Sequence, residues 1–242
     1  MIKDDGNAAL AHVPLWVFPL ILLSILGTGV VLIALAYTFR LNSAPGVLGW
    51  LLDRQRIGVA GYGLAGFIVA SSMWIWSQQA GFADIVVRFD PAPNYVLWAV
   101  FGFVIDIVGI FALTPLVRAL GPIRNQRYDV SDPATFVLVA ICLVIAAPIA
   151  EEIVYRGFGM GYLIARGLNP WLAGGIVLVL FLLMHWPVFG AAALPAIFTV
   201  SVLMTVFRIV SGNLMPGLLL HILNNAYGFL LVPLIWPQQP HG

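Results

Sequence analysis

Along the chain, apolar residues gather into seven long runs, near residues 14–39, 57–79, 95–118, 134–164, 171–189, 191–210 and 213–236. A helix needs about 20 mainly apolar residues to cross the hydrocarbon core of a bilayer. A membrane β-barrel would instead show segments of about ten residues with alternating polarity. The runs here are longer and continuously apolar. They predict an all-α fold, a polytopic membrane helical bundle with about seven transmembrane helices, forming a single integral membrane domain over 1–242. The first run is too long for the apolar region of a cleavable signal peptide, and no clean small-residue cleavage site follows it. It is therefore read as a retained span.

The connections are short and hold most of the charge and the turn formers. Asn42-Ser43-Ala44-Pro45-Gly46 opens the first loop, and Arg124-Asn125-Gln126-Arg127 with Ser131-Asp132-Pro133 fills the third. No internal repeat at a fixed period is visible, which argues against a repeat-built transporter. The first and third loops hold Arg40, Arg54, Arg56, Arg118, Arg124 and Arg127; the opposite side holds Lys3, Arg88, Arg166 and Arg208. Positive charge marks the cytoplasmic side, so this bias predicts an outside N-terminus. Arg88 also sits between Asp84 and Asp90 in a candidate interfacial helix.

Composition narrows the picture. Of 242 residues, 62% are apolar and 9% charged, with a net charge of +1. A soluble domain carries about a quarter charged residues. A soluble enzyme, a disordered tail and a nucleic-acid binder are excluded. The single cysteine, Cys142, excludes a disulfide framework and a Cys-rich zinc site.

Polar groups inside the apolar runs carry the chemistry, because a charged side chain deep in a bilayer is costly and faces the bundle interior. The only two glutamates, Glu151 and Glu152, are adjacent in the fourth run, and Arg156 follows. Glu152 and Arg156 are at i and i+4, share a helix face and can pair. Glu151 is rotated by about 100° and can point elsewhere. A structural salt bridge explains one Glu and the Arg, but not the second Glu. Pro148 should loosen the helix just before them. His185 ends the fifth run, and His221 shares a face with Asn225 in the seventh. A lone intramembrane His is usually a hydrogen-bonded core residue; two, with two Glu and an Asn, form a candidate site. Asp106, central in the third run, is expected to hydrogen-bond or to pair with an Arg inside the bundle. Arg208 is expected to snorkel to the interface. His12 and His241 lie near the termini and are given no role. Gly61, Gly63 and Gly66 suggest close helix packing.

A carboxylate and a histidine in a dry cavity can polarise a water, with the carboxylate as general base. A second His and an Asn amide can donate to a developing oxyanion. These parts suffice to hydrolyse an amide bond without a covalent intermediate. The set Glu151, His185 and His221 could instead ligate zinc, and the residues leave both mechanisms open. Other intramembrane hydrolases fail by absence. No serine has a Gly-x-Ser-Gly-like setting, only Asp106 offers an intramembrane Asp, and no H-E-x-x-H occurs. A retinal Schiff base is excluded because the only lysine is Lys3.

The run Glu151-Glu152-Ile153-Val154-Tyr155-Arg156 resembles the E-E-x-x-x-R motif of the CPBP family, the intramembrane proteases related to the type II CAAX prenyl endopeptidase. Phe181 to His185 resembles its F-x-x-x-H motif, and His221 to Asn225 its H-x-x-x-N motif. Three motifs in order on successive helices cover about residues 134–232, the expected catalytic core. The resemblance implies an intramembrane endopeptidase with its site inside the bundle. It implies Glu151 as general base, His185 helping to hold the water, Glu152 and Arg156 as an electrostatic pair, and His221 and Asn225 stabilising the oxyanion. It favours a glutamate mechanism with no cofactor. Phe189 departs from the pattern, standing where some relatives place an Asn. The implied partners are membrane lipids and a protein or peptide substrate, lipidated or membrane-anchored, and no nucleic acid. The implied location is a bacterial cytoplasmic membrane. Two competing readings are a non-catalytic membrane partner that sequesters a peptide or sensor, as an immunity protein does, and a proton-coupled transporter.

Overall fold

The computed structural model describes residues 4–38, 54–121 and 128–235. Lys3, Arg40, the 42–46 loop, Arg124, Arg127 and His241 lie outside the described residues. In chain order the helices are α1 (Asp4–Ala11), α2 (Val17–Thr38), α3 (Arg54–Gln79) and α4 (Ala83–Val86). Then follow α5 (Pro93–Ala112), α6 (Thr114–Ala119), α7 (Pro133–Ala165), α8 (Pro170–Phe189), α9 (Leu194–Ser211) and α10 (Met215–Ile235). No strand occurs among the described residues. The chain is an all-α polytopic bundle, as its apolar runs predict. Among the described residues six helices, α3, α5 and α7 to α10, are long and apolar enough to cross a membrane. The first expected span is helical over Val17–Thr38 but is not one of those six. The third is shorter than expected: α5 ends at Ala112, and Pro115 at the start of α6 restarts the helix.

Local chemistry sets the ends and breaks. Pro133 opens α7 behind Asp132, whose carboxylate accepts from the Thr135 amide at 3.0 Å. Pro170 opens α8 behind Asn169, which caps the Trp171 amide in the same way. Two π-helical stretches, Ala140–Ala146 and Tyr227–Leu231, each precede a proline, Pro148 or Pro233. A proline inside a helix gives no N–H to the carbonyl four residues back and clashes with it. Those carbonyls belong to Val144 and Phe229, inside the two π-helical stretches. A third stretch, Glu152–Gly159, holds the motif from Glu152 to Arg156 and begins just after Glu151.

The chain forms two compact units, and three of the boundaries between them fall inside α3, α7 and α10. One comprises residues 1–13, 73–126 and 151–224. Its core includes Ala99, Val200, Met204 and Leu220. Phe82, Ile85, Val86 and Val87 are buried in it, and the Val86 carbonyl lies where a Cβ on Gly157 would be. Helix α4 ends at Val86, so Arg88 lies beyond it, with its Nε 2.6 Å from Asp90 Oδ2.

The other unit comprises residues 14–72, 127–150 and 225–242. Val59, Val130, Val139 and Leu143 form its core, with Tyr128 and Phe229 packed against them. Gly63 and Gly66 meet α7 closely, as the sequence suggests: a Cβ on Gly63 would lie 2.6 Å from Cys142 Sγ, and one on Gly66 would lie 3.3 Å from Ala150 Cβ.

Candidate active site

The first unit gathers Glu151, Glu152, Arg156, His185 and His221, which lie on α7, α8 and α10. Glu152 and Arg156 are buried and form the expected i, i+4 pair, with Arg156 Nη1 donating to Glu152 Oε1 at 3.1 Å. Arg156 Nη2 donates to Ser201 Oγ on α9 at 2.6 Å, and its guanidinium lies 4.4 Å from the centre of the Phe181 ring. The ion pair therefore ties α7 to α8 and α9. Burying it is tolerable because both charges are paired and hydrogen-bonded.

The two histidines are oriented by their Nδ1 atoms. His185 Nδ1 lies 2.7 Å from the Phe181 carbonyl, which can only accept, so Nδ1 carries the proton. His221 Nδ1 lies 3.0 Å from Glu152 Oε1, an oxygen already accepting from Arg156. The same logic puts the His221 proton on Nδ1. The Nε2 atom of each ring faces Glu151. Glu151 Oε2 lies 3.5 Å from His221 Nε2 and 4.0 Å from His185 Nε2. Aromatic rings flank His185: Phe181 has its centre 4.2 Å away, and Phe189 stacks at 5.8 Å with planes 16° apart. The departure at Phe189 thus adds a ring stack on His185.

Asn225 opens a segment of the other unit, where its amide nitrogen donates to the Leu143 carbonyl at 2.8 Å. Its neighbour Asn224 belongs to the first unit and donates to Asp106 Oδ2 at 2.7 Å. Asp106 also contacts Thr199 Oγ1. It hydrogen-bonds as expected, and no Arg pairs with it among the described residues. Arg208 does not snorkel. It is buried and donates to three backbone carbonyls: Ile85 at 2.6 Å, Arg156 at 3.2 Å and Gly212 at 2.5 Å. A guanidinium has five donors in a fixed fork, and the Ile85 and Gly212 carbonyls, at the ends of α4 and α9, lack helical partners. Nothing in the pattern of the sixth run distinguishes this from an interfacial arginine. Ser201 and Thr199 were likewise invisible, each a single hydroxyl in an apolar helix.

Zinc ligands sit about 2.0–2.1 Å from the ion, so tetrahedral ligand atoms lie about 3.3 Å apart. The His185 gap of 4.0 Å is wide for that set. Among the described residues, no group of three or more His, Cys, Asp or Glu is arranged to hold a metal ion.

Residues 133–227 match the family described as Type II CAAX prenyl endopeptidase Rce1-like. This segment is similar to that family. The match spans all three motifs and bears out the resemblance read from them. The chain is also 28% identical over 137 residues to an uncharacterized 24.3 kDa protein of Escherichia coli. That alignment covers 56% of this chain and 63% of the relative, so it spans under two thirds of the relative's length. No solved structure matches the chain. The apolar helices and the Rce1-like segment together make this an integral, multi-pass membrane protein.

Proposed function

We propose that the protein is an intramembrane endopeptidase that cleaves a membrane-associated or C-terminally anchored protein or peptide. The observation that carries the reading is the convergence of three atoms, Glu151 Oε2, His185 Nε2 and His221 Nε2. In this reading a water molecule sits among these atoms, with two protons to give. Glu151 takes one proton as general base, while His185 Nε2 accepts the other and aims the oxygen. The oxygen attacks the peptide carbonyl carbon, and the carbonyl oxygen becomes an oxyanion. His221 Nε2 can take the abstracted proton from Glu151. The resulting imidazolium is held by Glu152 at Nδ1 and donates to the oxyanion. The proton then passes to the leaving nitrogen, the C–N bond breaks, and an acid and an amine are released. No step uses a metal.

The Glu152–Arg156–Ser201 group keeps one carboxylate charged and fixed, leaving the chemistry to Glu151. The family match supports a protease of CAAX type, and the membrane served is proposed to be a bacterial cytoplasmic membrane. The test compares protein termini in host membranes carrying the wild type or Glu151→Gln at equal expression. New termini seen only with the wild type, and unchanged by a zinc chelator, are expected. Equal termini with both proteins folded would overturn the reading in favour of a peptide-sequestering partner. Loss of the termini on chelation would overturn the metal-free scheme.

A further inference from the structure

Asp106 is the buried acid that the proposed chemistry does not use. It is fully enclosed in α5, on the face that also buries Ala99 and Gly102. One turn on, Gly109 meets α9 so closely that a Cβ there would lie 3.0 Å from Thr199 Cγ2. This approach brings Asp106 Oδ1 to Thr199 Oγ1, while Oδ2 accepts from Asn224 Nδ2 at 2.7 Å.

The protons of this cluster can be counted. Thr199 Oγ1 also lies 2.8 Å from the Ala196 carbonyl. The carbonyl can only accept, and the hydroxyl has one proton. If Thr199 donates to Ala196, the proton in the Thr199–Asp106 contact must come from Asp106. The three links then run one way: Asn224 N–H to the Asp106 carbonyl oxygen, Asp106 O–H to Thr199, and Thr199 O–H to Ala196. Every acceptor has its proton, and bonds aligned in this way polarise one another. An ionised Asp106 would lack a cation, since no Lys, Arg or His forms an ion pair with it among the described residues, and it would set Thr199 against the Ala196 carbonyl.

Asn224 stands one turn beyond His221 on α10. We propose that Asp106 is a neutral carboxylic acid that holds Asn224, fixes the rotation of α10 and so aims the His221 ring at Glu151 and Glu152. It is a positioning residue, and this role rests on the proposed reading of the site. Asp106→Asn preserves the pattern, because its amide N–H donates to Thr199 and its oxygen accepts from Asn224.

The test has two arms on the purified full-length protein and its host membranes. Infrared spectroscopy of the wild type should show a protonated-carboxyl band that Glu151→Gln keeps and Asp106→Asn loses. Loss of only a carboxylate band in Asp106→Asn would overturn the neutral acid. In membranes, Asp106→Asn should keep the Glu151-dependent termini, whereas Asp106→Ala should reduce them about 10- to 100-fold per folded molecule. Where Asp106→Ala does not fold, Asn224→Ala carries the same expectation. Full cleavage by a folded Asp106→Ala or Asn224→Ala would overturn the positioning role. If no termini depend on Glu151 at all, the protease reading fails and takes the positioning role with it, while the infrared arm still decides the protonation.

Discussion

Glu152 and Arg156 are each buried, and each answers the other's charge. Removing one partner strands the other in an apolar interior, at a cost of about 3–5 kcal/mol. Glu152→Leu should therefore lower the melting temperature and the yield of folded protein. Glu151→Gln should melt close to the wild type, because it keeps the shape of the side chain and breaks no ion pair with Arg156. Thermal unfolding of both variants in one detergent checks this, and equal melting of Glu152→Leu and wild type would remove the pair from its structural place. These residues were legible in the sequence for a physical reason: a charge in an apolar run is conspicuous, and the i, i+4 spacing puts Glu152 against Arg156. The hydroxyl of Ser201, which completes the arginine's contacts, was not legible. It comes from a helix 45 positions away, and a lone serine in an apolar span has many uses.

At the level of elements, the motif helix depends on what passes beside it. The Val86 carbonyl fills the space that a side chain on Gly157 would need. Backbone cannot swing aside as a flexible side chain can. Gly157→Ala should push Phe82–Val87 away from α7, lowering both stability and Glu151-dependent cleavage. Gly175→Ala on α8, with nothing within 4 Å of the new methyl, should be tolerated. Melting the two variants side by side separates close approach from any general intolerance of alanine. The helices themselves could be read from apolar length, and Pro148 announced a disturbance in α7. The course of Phe82–Val87 could not. Its apolar residues are too few to mark a span, and its neighbours Gly157 and Arg208 are far along the chain.

On the scale of the whole molecule, the arginine-rich third loop predicts a cytoplasmic start to α7, and the four apolar helices α7 to α10 then return the C-terminus to the cytoplasm. A reporter fused there that is active only in the cytoplasm should be active, and activity of a reporter that works only outside would reverse the orientation. The arginine buried at the end of α9 bears on how the chain is made. The Ile85 carbonyl meets its Arg208 donor across 123 positions of sequence. At about 5–20 residues per second, a ribosome takes roughly 6–25 s to bridge that interval. Until then Phe82–Val87 has left the ribosome without the guanidinium that will hold it. A polypeptide stopped before α9 would hold this stretch against Gly157 and Gly161 of α7 but without its guanidinium bond.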